Sequence, residues 1–267
     1  MLNAGKRNVI GILVDAVDYE AAVDFIFRAA NEKRSAAISA LAVHGVMTGV
    51  LDPRHKFRLN HFDLLAPDGH PVRWVLNWLY GTKLKDRVYG PNLTLKVCAR
   101  AAEEGNAIYL YGGTSEILSA LIASLKQRFP SIIIAGAEPS RFRQLQPDER
   151  AELVERIVSS GASITLVGLG CPKQEIFTYE VKNALSMPIL AVGAAFPFLA
   201  GLLPQAPPWM QNRGLEWLFR LTSEPRRLWR RYVYLNPAYM FLVALQAAKM
   251  RRFSEEGVPP MHDSLFG

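Results

Sequence analysis

The sequence predicts an α/β protein, a doubly wound, mostly parallel sheet followed by a C-terminal helical appendage. Three observations predict it. Apolar runs of the length of buried strands recur through the first 200 residues, helical patterns with recognisable caps fill several of the gaps, and strand signals cease after Gly201. The runs are residues 9–14, 36–40, 108–111, 132–135, 164–169 and 189–192, with a shorter apolar stretch at 64–66. Asp18 is placed to cap a helix carrying Ala21, Ala22, Phe25, Ile26 and Ala29. Thr114 is placed to cap another, with Ile117, Leu118, Leu121, Ile122 and Leu125 on one face and Pro130 as its stop. A third spans about residues 147–160, with Leu153, Val154, Ile157 and Val158 on its face and Gly161 at its C-terminal position. Pro172 presets the start of a fourth, directly after the strand that ends in Gly168-Leu169-Gly170.

From Gly201 the character changes. LLPQAPPWMQ, with three prolines, reads as a connector, and Pro225 divides the helical segment behind it. The chain therefore divides into a core at 1–200, an Arg- and aromatic-rich appendage at 201–250, and a flexible tail at 251–267. The formal net charge is +7, and much of the excess lies in the appendage: Arg213, Arg220, Arg226, Arg227, Arg230 and Arg231 face only Glu216 and Glu224 between residues 211 and 234. Trp209, Trp217, Phe219, Trp229, Tyr232 and Tyr234 are interleaved with them, a mixture found at membrane surfaces and on nucleic-acid faces. No recognised nucleic-acid motif accompanies it, which argues against a nucleic-acid partner.

Other limits follow from composition. Half the residues are hydrophobic, which excludes global disorder, and two cysteines, Cys98 and Cys171, fit a reducing compartment. No signal peptide is read in the first twenty residues, because Asp15 interrupts the apolar run. Residues 237–248 would reach about 18 Å as a helix, too short for a hydrocarbon core of about 30 Å. His44, His55, His61, His70 and His262 lack HxxxH or paired-cysteine company, so no protein metal site is indicated. The P-loop and the full dinucleotide fingerprint are missing, which weakens ATPase and dehydrogenase readings.

The candidate chemistry lies in loops after strands. Gly168 and Gly170, running into Pro172, Lys173, Gln174 and Glu175, outline a phosphate site at a helix N-terminus, although Gly-x-Gly also serves as ordinary punctuation. Gly112 and Gly113, ahead of Thr114, form a second possible anion cradle. Asp68, in PDG after the 64–66 stretch, sits where loops of parallel sheets build sites, but Pro-Asp-Gly is equally a turn sequence. Arg87 in RVYGPNL is a phosphate ligand if it faces the cleft and a solvated charge otherwise. Gln174 either orients a sugar or phosphate or sits on an exposed turn, and His44 reads first as a satisfied, partly buried histidine.

Taken in order, PDG at Asp68, RVYGPNL at Arg87, YLYGG at Gly112, VGLGCPKQE at Gln174, VGAAFPFLAG at Gly193 and GLEWLFRLTSEPRRLWRRY in the tail resemble the WecG/TagA/CpsF family, glycosyltransferase family 26. The resemblance runs over about residues 8–248. It implies a Rossmann-like core and an inverting hexosyltransferase that needs no metal or other cofactor. The implied donor is a UDP-sugar carrying N-acetylmannosamine, its uronic acid, glucuronic acid or a similar sugar. The implied acceptor is a polyprenyl-diphosphate-linked glycan of exopolysaccharide or cell-envelope synthesis, reached from the cytoplasmic face of the plasma membrane by a peripheral protein for which a homo-oligomer is one option. Asp68 then matches the catalytic base, and Arg87 and Gln174 residues placed around the donor. Ala42, His44, Gly112, Gly113, Gly168, Gly170, Lys173 and Pro197 match nucleotide-sugar positions, and the six tail arginines match an appendage that docks on membrane and lipid diphosphate. The chain departs from the pattern at Ala40 and Ala42, where many members have Thr-x-Asn, and at Pro197, where AFDF reads AFPF. A catalytically inactive nucleotide-sugar-binding subunit is the alternative those departures favour.

Overall fold

A computed structural model describes the backbone of residues 1–267 and the side chains of all but residues 208, 212, 227 and 231. The chain opens with β1 (Asn3–Val9) and β2 (Ile12–Val17), then α1 (Tyr19–Asn31), β3 (Ala36–Leu41), α2 (Val43–Leu51), α3 (Pro53–Asn60), β4 (Leu64–Pro67), α4 (His70–Tyr80) and α5 (Gly90–Glu104). It continues through β5 (Ile108–Gly112), α6 (Ser115–Arg128), β6 (Ile134–Glu138), α7 (Pro147–Ser159), β7 (Ile164–Gly168), α8 (Lys173–Val181), β8 (Pro188–Ala191) and α9 (Ala195–Leu199). The appendage comprises α10 (Pro208–Asn212), α11 (Glu216–Ser223), α12 (Pro225–Arg230), a π-helical turn (Arg231–Leu235) and α13 (Asn236–Ala247).

Six strands form one parallel sheet in the order β4-β3-β8-β7-β5-β6. This is the Rossmann-like α/β class the sequence predicts. Its helices start where the expected caps stand: Asp18 Oδ1 accepts the Ala21 N–H at 2.9 Å, and Thr114 Oγ1 accepts the Ile117 N–H at 3.3 Å. One sheet face packs against α1, α5, α6 and α9 through Phe27, Ile26, Leu93, Leu121 and Phe196. The other is covered by the hairpin, α2, α4 and α13 at one end and by α7 and α8 at the other. Burying an aromatic or large aliphatic side chain of this kind stabilises by about 1.5–3 kcal/mol.

The run at residues 9–14 is not a strand of this sheet. Ile10 (φ 46°) and Gly11 (φ 94°) reverse the chain, so the two halves of the run pair with each other antiparallel as β1 and β2. A Cβ on Gly11 would also lie 2.8 Å from the Ser254 carbonyl oxygen, so space and backbone both require glycine there. The hairpin is tied to the main sheet by Asp15, whose Oδ2 accepts the Leu65 N–H at 2.8 Å. The edge place is taken by β4, four residues long, beside β3.

The appendage does not stand apart along its whole length. Tyr239 and Val243 of α13 are fully buried in the cluster that holds the hairpin and α2. Residues 251–267, read from sequence as a flexible tail, are fastened at several points. Val258 N–H donates to the Pro53 carbonyl at 3.0 Å, Glu180 accepts the Ser264 and Leu265 amides at 2.6 and 3.1 Å, and Leu145 N–H donates to the Leu265 carbonyl at 2.7 Å. Among the described residues no helix is long and apolar enough to cross a membrane.

Candidate active site

The C-terminal ends of β3, β4, β7 and β8 open onto a cleft, the usual place for a ligand on a parallel sheet. It has two adjoining compartments. The larger, about 360 Å³, lies over the ends of β3, β7 and β8 and is lined by Ala40, Ala42, Gly170, Lys173, Gln174 and Gly193 among others. The smaller, about 130 Å³, lies toward the appendage, with His70, Arg87, Glu216, Trp217 and Asn236 in its wall. Asp68, Ala42, His44, Tyr89 and Arg220 line both.

Asp68 follows β4 immediately. Its N–H donates to the Leu41 carbonyl at 3.1 Å, which staples the turn to the end of β3, and Gly69 (φ 87°) lets the chain swing into α4. The Pro-Asp-Gly sequence is thus a turn that also places a carboxylate at the edge of the cleft. The carboxylate is 17 % exposed, Oδ2 faces the Gly90 N–H at 3.4 Å, and Oδ1 stands 3.9 Å from Arg87 Nη1. Burial pushes its pKa up to about 6; Glu216 adds to the rise, while Arg87, the Gly90 amide and Arg220 oppose it.

Arg87 is buried rather than solvated. The Val88 N–H donates to the Pro67 carbonyl at 2.9 Å and holds this segment beside β4. Its guanidinium lies over the Tyr89 ring, 4.3 Å from the centroid, and Nη2 donates to Glu216 Oε2 of α11. Burial alone would lower its pKa, but Asp68 and Glu216 outweigh it and the value is raised, so the arginine keeps its charge.

The opposite wall begins at the turn after β7. Gly170 (φ 80°) donates its N–H to Gln174 Oε1 at 3.1 Å, and the Gln174 N–H returns a bond to the Gly170 carbonyl at 3.0 Å. Two amides expected to cradle phosphate are therefore engaged within the loop. Gln174 is buried, not on an exposed turn, and its Nε2 donates to Glu175 Oε1 at 2.8 Å. The same oxygen accepts the Ser39 hydroxyl at 3.0 Å, and burial raises the Glu175 pKa. Gly193 completes the arrangement, because a Cβ there would lie 2.8 Å from Gln174 Oε1.

Some expected residues lie away from both compartments. A Cβ on Gly112 would meet the backbone of Gly168 at 2.7 Å, and one on Gly168 would meet the Phe196 ring at 2.5 Å. Those two glycines serve close packing of strand ends. Gly113 (φ 70°) turns the chain into α6. Pro197, within α9, offers its carbonyl to the Leu202 and Leu203 amides at 3.0 and 3.1 Å. Ala42 is at the cleft as the N-cap of α2 but, having no acceptor, makes no side-chain cap bond. Of the tail arginines, Arg220 reaches the cleft, its guanidinium 5.6 Å from the Phe198 ring centroid. Arg213, Arg226 and Arg230 are exposed and line neither compartment. The side chains of Arg227 and Arg231 lie outside the described residues.

The sequence reading missed Glu216, Tyr89 and His70. Glu216, 7 % exposed, appeared only as a charge opposing arginines. Tyr89 stands two residues from Arg87 in RVYGPNL, and burial raises its pKa well beyond the usual tyrosine range. His70 Nε2 bonds to the Gln211 carbonyl at 2.9 Å and so joins α4 to α10. Among the described residues no three His, Cys, Asp or Glu side chains converge as a metal-ion site. A sequence model of the glycosyl transferase WecG/TagA/CpsF family matches residues 7–253.

Proposed function

The chain belongs to the WecG/TagA/CpsF family of glycosyltransferases, whose chemistry joins a nucleotide-sugar donor to a glycan acceptor, and from that premise we propose an inverting enzyme in which Asp68 is the base. The donor is a UDP-sugar, of the N-acetylmannosamine, mannosaminuronic or glucuronic type, and the acceptor a glycan on polyprenyl diphosphate in exopolysaccharide or envelope synthesis. The observation that carries the reading is Asp68 itself: one partly buried carboxylate that borders both compartments, with Arg87 and Arg220 beside it.

In this reading the donor occupies the larger compartment and the acceptor hydroxyl arrives through the smaller one. The acceptor oxygen attacks the anomeric carbon as the bond from that carbon to the UDP oxygen breaks, and the hydroxyl proton passes to Asp68. A carboxylate with a pKa near 6 is ionised at pH 7.5 yet more basic than an exposed aspartate, which suits a general base. Negative charge growing on the departing diphosphate is met by Arg220 and Lys173, which line the larger compartment, and loss of one such positioned donor costs about 3 kcal/mol of transition-state stabilisation in comparable sites. Since these cations supply the counter-charge, turnover is expected to survive a chelator.

The exposed Trp209, Trp217, Trp229 and Tyr234, with Arg213, Arg226 and Arg230, support peripheral contact with an anionic membrane on its cytoplasmic side. Each surface arginine is worth about 1 kcal/mol of attraction there. The test is to incubate the protein with short polyprenyl-diphosphate sugars and a panel of UDP-hexoses, with and without EDTA. A lipid one sugar heavier, with inverted anomeric configuration, is expected in both conditions. UDP binding without a transferred sugar from any donor would favour the inactive binding subunit.

A further inference from the structure

Arg87 is shared unequally between two carboxylates. One arm, Nη2, is bonded to Glu216 Oε2, whereas the other, Nη1, stops 3.9 Å short of Asp68 Oδ1, beyond hydrogen-bond reach. The Tyr89 ring beneath the guanidinium, 4.3 Å from its centroid, fixes the plane in which the two arms lie. Glu216 is the first residue of α11, and its carboxylate and the guanidinium are each about one-tenth exposed, so water screens this division little. An aspartate closed onto an arginine by a direct salt bridge is a poor base, because the cation favours the ionised form and occupies the lone pairs that would take a proton.

We propose that Glu216 is a positioning residue for the transfer reaction: by engaging one arm of Arg87 it keeps the other from closing on Asp68 and leaves that carboxylate open to receive the acceptor proton. The proposal rests on Asp68 being the base. Because α11 belongs to the appendage and Asp68 to the core, the docking of the appendage sets how basic the core's carboxylate is. The other groups around Asp68 do not substitute for Glu216. Arg220, also on α11, and the Gly90 amide on α5 both favour the ionised carboxylate, as Arg87 does. Tyr19 of α1 and Tyr89 are neutral phenols, both raised in pKa by burial, and His70 of α4 is lowered in pKa by burial and so inclined to the neutral form. His44 of α2 lines the same two compartments. Glu216 is thus the acidic side chain that offsets Arg87 at Asp68.

Two readouts test this. Asp68 is titrated directly by carbon-13 NMR of Asp-labelled full-length protein, its signal assigned by loss in Asp68→Asn, in the wild type, Glu216→Gln and Glu216→Asp. The pH dependence of kcat for sugar transfer is measured in parallel. In Glu216→Gln the Asp68 titration and the acidic limb of kcat should both move down by about one pH unit or more, with a lower plateau. Glu216→Asp, which keeps the charge, should titrate close to the wild type and confirms that any loss is not a folding failure. An Asp68 titration unchanged in Glu216→Gln overturns the proposal even if that variant is slow, since loss of packing lowers kcat without moving a carboxyl titration. Full turnover by Asp68→Asn would instead overturn Asp68 as base, whatever the titrations give.

Discussion

The two walls of the cleft are built in opposite ways. On the wall after β7, most polar groups are engaged by one another: the Gly170 amide by Gln174 Oε1, and the Gln174 side-chain amide and the Ser39 hydroxyl both by Glu175 Oε1, with Glu175 Oε2 left over. On the wall after β4 the charges are left unbalanced, with Arg87 bonded to Glu216 and only near Asp68. A connected network of hydrogen bonds fixes shape, whereas a partly buried carboxylate held short of its cation keeps a proton affinity that chemistry can use. In the proposed reading, the difference separates residues that hold the cleft open from residues that react in it. Substitutions should follow that division, the first group acting on stability and KM and the second on kcat and its pH dependence.

The largest effect is expected at Asp68. Asp68→Asn should lower kcat by roughly 10² to 10⁴ while UDP binding persists. The same change should stabilise the fold at neutral pH. A carboxyl whose pKa rises from 3.8 to about 6 on folding contributes stability that is complete below pH 3.8 and lost as pH rises through 6. Removing that charge therefore gains at most about 3 kcal/mol above pH 6 and nothing near pH 3, less what the partial ion pair with Arg87 returns. Urea melts of both proteins at pH 4 and pH 7.5 check this, and a variant less stable than the wild type at pH 7.5 would sink it.

On the closed wall the effects are smaller and of another kind. Gly193→Ala places a Cβ against Gln174 Oε1 at a backbone φ of 52°, so it should destabilise by about 1–3 kcal/mol and raise KM for the donor more than it lowers kcat. Glu175→Ala strands the hydrogen bonds of Gln174 and Ser39 and should cost about 1–3 kcal/mol. Glu175→Gln should cost less than about 1 kcal/mol, since its carbonyl oxygen can still accept the bonds from Gln174 and Ser39. A large kcat defect with unchanged KM in either Glu175 variant would erase the distinction between the walls.

A group distant from both walls sharpens the pH comparison. His55 is 2 % exposed and its pKa is lowered to about 4 by burial, with Arg58 adding to the shift. A histidine depressed in this way costs stability as pH falls from 6.5 to 4, by about 3 kcal/mol at most, opposite in sign to Asp68 over the same range. His55→Phe should flatten that acid loss in melts between pH 4 and 6.5, and an unaltered slope would reassign it.

The parts of this molecule legible in the sequence are those whose physics is local. Asp18 and Thr114 cap their helices because a short polar side chain three residues before an amide needs no distant partner. Asp68, Gly170 and Gln174 reach the cleft because residues after parallel strands share one edge of the sheet, whereas Arg87, between α4 and α5, is held there by the bond from the Val88 N–H to the Pro67 carbonyl. Long-range pairing was not legible. Glu216 meets Arg87 across 129 residues, and its charge alone gave no hint of a partner. Gly112 and Gly168 were read toward a ligand because glycine used for close packing looks, in sequence, like glycine used for binding. Residues 9–14 read as one strand because the apolar run continues across Ile10 and Gly11, where only backbone conformation marks the turn between β1 and β2.

The most direct test is to give wild-type protein and Asp68→Asn the same polyprenyl-diphosphate acceptor and a donor that the wild type accepts, then weigh the lipid product. A glycan one residue longer from the wild type, with almost none from a variant that still folds and still binds UDP, is the predicted result. Equal product from both would contradict the account.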